Sequence, residues 1–131
     1  MLKKITLITA LLTTFLCADV RNVDVTEEIV KSGMKIIDIR TEPEWRETGV
    51  VENSIPITFF DEQGRYDAGA FLEMLNKHVK KDREFALICR TGSRTTAVSD
   101  FLSKQGYKVV NLKGGIKRLM AQGYVPEVYK R

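Results

Sequence analysis

Phe85-Ala86-Leu87-Ile88-Cys89-Arg90-Thr91-Gly92-Ser93-Arg94 is the stretch on which the reading of this chain turns. It opens with four apolar residues in a row, which suit a strand buried on both faces of a parallel sheet. The character changes at Cys89. Arg, Thr, Gly, Ser and Arg in succession are poor material for a core and good material for holding an anion. A helix-like segment follows over 94–104, so loop N–H groups and a helix N-terminus can converge on one point. A thiol placed there is expected to have a lowered pKa, and the thiolate is the nucleophilic form. A lone cysteine is more often a small buried hydrophobe, but no apolar packing site favours the five residues after this one. Cys89 is therefore read as a nucleophile. Arg90, Thr91, Gly92, Ser93 and Arg94 form its anion cradle, the guanidinium groups offering forked donors for an oxyanion and Gly92 the tight turn.

The segments on either side alternate strand with helix. Strands are expected at 20–25, 35–39, 54–59, 84–88 and 108–112. Helices are expected at 26–32, capped by Thr26 and stopped at Gly33, and at 42–47 with Pro43 in the first turn. Further helices are expected at 68–79, 95–104 and 115–122. In the third of the five, Phe71, Leu72, Leu75 and Val79 fall on one helix face. This alternation indicates an α/β fold with an open, largely parallel sheet. In such sheets ligands bind beyond the carboxyl ends of the strands, where both Cys89 and Arg40 fall.

From Cys89 to Arg94 the pattern is C-x4-R, one residue shorter than the C-x5-R loop of cysteine-dependent phosphatases. Cys-Arg-Thr-Gly-Ser-Arg resembles the active-site loop of the rhodanese sulfurtransferases. Ile36-Ile37-Asp38-Ile39-Arg40 with Glu44-Trp45 and Gly49 resembles that family's upstream signature, and Asn53-Ser54-Ile55-Pro56-Ile57 its next strand. Gly114-Gly115-Ile116 and Gly123-Tyr124-Val125-Pro126 resemble its C-terminal signature. Three ordered motifs over 19–126 are much harder to match by chance than one. The chain departs from the family pattern at Val50, where histidine is common, and at Ile116 and Leu119, where tryptophans are common. The resemblance implies a rhodanese-like sheet with helices on both faces and a sulfurtransferase working through a Cys89 persulfide. It implies a small anionic sulfur donor such as thiosulfate and a thiol, sulfide or cyanide acceptor, with no cofactor. Asp38 and Arg40 are expected to brace the neighbouring loops. A polysulfide-sulfide transferase or a sulfur carrier would use the same persulfide. A phosphatase or arsenate reductase fits less well, because a tetrahedral oxyanion needs a wider ring of N–H groups than the short loop provides.

The 131 residues suit one domain. Lys3 and Lys4, the uncharged run 5–17, and Ala18 before Asp19 have the layout of a secretory signal peptide. Residues 1–18 are thus expected to be a cleaved leader and 19–131 the rhodanese-like domain, exported to the periplasm. The uncharged run is too short to span a bilayer comfortably, so no stable membrane insertion is expected after cleavage. Cleavage would discard Cys17 and leave Cys89 without an internal disulfide partner. The net charge of +4 would fall to +2 with the loss of Lys3 and Lys4. No basic run with interleaved aromatics points to nucleic acid. His78, beside Lys77, Lys80 and Lys81, is read as a solvated residue. One histidine and one mature cysteine make no zinc ligand set.

Overall fold

The computed structural model describes residues 19–131 together with Ala10. Apart from Ala10, the expected signal peptide over 1–18 lies outside the described residues. Five strands, β1 (Arg21–Asp24), β2 (Ile36–Asp38), β3 (Ile55–Pro56), β4 (Phe85–Ile88) and β5 (Val109–Lys113), form one open sheet in the order β1-β5-β4-β2-β3. Every pairing in it is parallel. Between them run the helices α1 (Glu27–Lys31), α2 (Glu42–Thr48), α3 (Ala68–Leu75), α4 (Ser93–Lys104) and α5 (Gly115–Ala121).

The alternation of side chains along the buried strands divides the core in two. Phe85, Leu87 and Cys89 join Phe71 and Leu75 of α3 and Val98 and Leu102 of α4 in one cluster. Ala86 and Ile88 point the other way, into a cluster with Val30 of α1 and Ile116 and Leu119 of α5. Helices therefore cover both faces. β4 is buried along its whole length, as its unbroken apolar run requires.

Two expected elements come out about four residues shorter. β3 is assigned only at Ile55–Pro56, because Pro56 has no N–H to give to a ladder. The chain nevertheless stays beside β2, with Ile57 N–H donating to Asp38 O (2.9 Å) and Phe59 N–H to Ile39 O (3.1 Å). α3 stops at Leu75, capped by Asn76. Val79 still reaches the core, through a turn in which its N–H and that of His78 both donate to Leu75 O.

The strand order places the site. After β2 the chain moves outward to β3, whereas after β4 it moves the opposite way to β5. The connections leaving the adjacent strands β2 and β4 therefore diverge. A crevice is left at their carboxyl ends, the switch point at which open α/β sheets bind ligands.

Candidate active site

β4 delivers Cys89 to that crevice, and the residues after it turn directly into α4. Gly92 makes the turn as the helix N-cap at φ +99°, in the left-handed region that glycine enters without cost to a side chain. The Gly92 N–H donates to Cys89 Sγ at 3.2 Å. The thiol donates to Thr95 Oγ1 at 3.6 Å, and the Thr95 hydroxyl donates to Gly92 O at 3.1 Å. A hydroxyl rotates to suit its partners, so Thr95 can turn its proton toward the sulfur once the thiol is ionised. Among the described residues, none accepts from the backbone N–H groups of Arg90, Thr91, Ser93, Arg94 or Thr95. These donors belong to the loop and first turn of α4 that follow Cys89, and a helix N-terminus favours negative charge beside it.

Cys89 is fully buried. Cys89 begins the loop that leads into α4. That loop is held from behind by α5. Ile116 N–H donates to Cys89 O (2.9 Å) and Lys117 N–H to Arg90 O (3.0 Å). The approach depends on Gly115, at φ +64°, where a Cβ would lie 2.4 Å from Arg90 O and 2.6 Å from Cys89 O. The double glycine at Gly114-Gly115 is thus a docking surface for the Cys89 loop.

The two arginines of the loop part company. Arg90 is exposed and has no ion pair among the described residues. Arg94 is held by Glu44 of α2, donating from Nη1 to Oε1 and from Nη2 to Oε2, both at 2.7 Å. The Arg94 hydrogen bonds, with its nearby charge, hold the Glu44 carboxyl below its ordinary value, while Glu44 raises Arg94. Thr91 and Ser93 are exposed on the loop.

Asp38 and Arg40 sit beneath the crevice as a fully buried ion pair. Arg40 donates to both Asp38 oxygens, and also to Thr48 Oγ1 (2.8 Å) and Gly49 O (3.0 Å), tying the end of β2 to the end of α2. Trp45 is buried and packs against Tyr129 at 5.4 Å between centroids. Sequence reasoning missed Glu44 and Thr95 as members of the site. Thr95 was legible as a hydroxyl one helical turn beyond Gly92; Glu44 lies 50 residues from Arg94 and meets it only because β2 and β4 are neighbours. Among the described residues no group of three or more histidine, cysteine or acidic side chains is placed to hold a metal ion. No helix of the described residues is long and apolar enough to cross a membrane.

The Cys89 loop at the switch point of a five-stranded parallel sheet points to the class of protein. The chain belongs to the rhodanese-like domain family, whose pattern it matches over residues 22–122. It is 30% identical over 103 residues to thiosulfate sulfurtransferase 18 of Arabidopsis thaliana, covering 74% of this chain and 75% of that one. It is 36% identical over 81 residues to YtwF of Bacillus subtilis (strain 168), named as a candidate sulfurtransferase, covering 62% and 68%. The crystal structure of a rhodanese-related protein from Thermoplasma volcanium superposes with a TM-score of 0.57 at 26% identity, over 77% of this chain and 93% of that one. These relatives support sulfur transfer as the general chemistry.

Proposed function

We propose that the protein moves a sulfane sulfur from thiosulfate, or a donor like it, to a thiophilic acceptor through a persulfide on Cys89. The thiolate attacks the outer sulfur of the donor. A sulfur–sulfur bond forms to Cys89, the donor's own sulfur–sulfur bond breaks, and sulfite leaves with the electron pair. The acceptor (cyanide in an assay, a thiol or sulfide in a cell) then attacks the terminal sulfur, and the thiolate returns as leaving group. This is covalent catalysis in two displacements, with ping-pong kinetics. The observation that carries the reading is the Gly92 N–H donated to Cys89 Sγ at the start of α4, in a loop whose other N–H groups have no acceptor among the described residues, suited to stabilising an anionic sulfur at each step. Arg90, exposed at the loop, would attract the anionic donor. The relatives named for sulfur transfer support the same chemistry.

Incubation with thiosulfate should add the mass of one sulfur atom to the protein, and cyanide should remove it as thiocyanate. Cys89→Ser should show neither step while its circular dichroism stays that of the wild type. Sulfur uptake or thiocyanate formation by that variant would overturn the mechanism.

A further inference from the structure

The loop carries two guanidinium groups, but only one of them is uncompensated. Arg94 spends its two terminal nitrogens on Glu44 in a bidentate pair, the geometry in which guanidinium and carboxylate match best. The Thr41 hydroxyl donates to the same carboxylate at 3.1 Å and fixes its orientation. Glu44 and Arg94 have side chains only 20% and 26% exposed, so solvent screens the pair less than it would a surface bridge. The hollow beside the pair, about 530 Å3, is lined by Thr41, Phe60, Asp61 and Glu62 as well as by Glu44 and Arg94. Of the three carboxylates that border this hollow, Glu44 is paired with Arg94 and Asp61 with Arg65, so Glu62 alone has no ion pair among the described residues.

We infer that Glu44 is a positioning residue that sets donor specificity, holding Arg94 at the end of the catalytic loop while cancelling its charge. The site then discriminates against doubly charged donors in favour of singly charged or neutral ones. Thiosulfate, with two negative charges, is attracted by Arg90 but finds Arg94 already neutralised by Glu44 and is repelled by the unpaired Glu62. A singly charged thiosulfonate meets half of that repulsion. The inference rests on the sulfur-transfer reading for its substrate class, although the charge on the approach to Cys89 can be measured without sulfur transfer.

The experiment compares wild type with Glu44→Gln, Glu44→Ser and Glu44→Asp. In the two neutral variants, kcat/KM for thiosulfate relative to methanethiosulfonate should rise about tenfold, the lower end of what a unit charge within ~4–6 Å does to an ionic equilibrium. Glu44→Asp keeps the charge and should keep a ratio near that of wild type. In parallel, alkylation of Cys89 is followed by mass spectrometry with iodoacetate and with iodoacetamide. The rate ratio of the charged to the neutral reagent should rise in the same two variants. Unchanged ratios in a folded neutral variant would overturn the inference. So would an equal fall with every donor that Glu44→Asp does not rescue, since that is the mark of a merely structural role. If wild type takes sulfur from neither donor, the sulfur-transfer reading fails, and the alkylation ratio still decides the role of Glu44.

Discussion

Arg94 and Glu44 show how much one side chain's partner changes its role. A guanidinium at the start of α4 looks like a free anion receptor, yet its donors are occupied by a carboxylate from α2. Replacing Arg94 with alanine would remove a positive charge near the sulfur and leave the Glu44 carboxylate unpaired beside it. Both changes oppose the thiolate and a doubly charged donor, while the greater intrinsic nucleophilicity of a more basic thiolate offsets part of the loss. Thiosulfate efficiency should fall on the order of 10- to 100-fold, each tenfold being ~1.4 kcal/mol. An uncharged donor should lose less. Equal rates for both donors in Arg94→Ala and wild type would reduce Arg94 to a surface charge.

At the scale of elements, the Cys89 loop is shaped as much by α5 as by its own residues. Gly115 lets the first turn of α5 reach the carbonyls of Cys89 and Arg90, and Gly92 in turn packs close to Gly114 N. Gly115→Ala would place a methyl group against backbone that cannot swing aside, at a φ costing of order 1–3 kcal/mol for a side chain. The loop should be pushed off α5 and sulfur transfer should fall more than about tenfold, a displacement well short of 1 Å being enough to disturb a positioned nucleophile. Gly33→Ala is the control. It shares the positive φ (+84°) but has nothing within 4 Å of the added Cβ, so it should lose stability and keep activity. Kinetics and urea denaturation on both variants separate the two effects; matched activity losses would show that strain alone, not docking against α5, is responsible.

Across the whole molecule, ion pairs act both within one segment and between segments far apart in the chain. The buried Asp38–Arg40 pair braces the end of β2, and breaking such a pair from one side typically costs about 3–5 kcal/mol. Glu44–Arg94 joins α2 to α4 and gives stability a pH dependence whose sign is determined. The Glu44 carboxyl is lowered from its ordinary 4.5, chiefly by the Arg94 hydrogen bonds. Its contribution is therefore complete above 4.5 and fades as pH falls through the depressed folded-state value. Urea midpoints taken through this acid range should fall more steeply for wild type than for Glu44→Gln, which has no proton to gain there. Parallel curves would show that the pair adds nothing to stability. The C-terminal segment closes the structure over the same region. Val50 and Glu127 exchange backbone hydrogen bonds at 2.8 Å, where Gly49 has no Cβ to obstruct the Glu127 carbonyl.

The sequence by itself determined the α/β class, the parallel character of the sheet and the position of Cys89 at a strand end, because those follow from local properties. An unbroken apolar run at Phe85-Ala86-Leu87-Ile88 has to be buried on both faces, and a polar Gly-containing loop after it has to leave the core. The ends of elements were less legible. Whether Val79 is held by helix or by turn, and how far Pro56 lets β3 run, depends on what packs beside them. Only the tertiary structure decided which partners the site residues have. Strand order is set by the packing of both sheet faces at once, and it alone brings Glu44 to Arg94 and Gly115 to the carbonyls of the catalytic loop. A contact between segments 50 residues apart leaves no periodicity in the chain, and so the charge balance at the sulfur became visible only once the sheet was assembled.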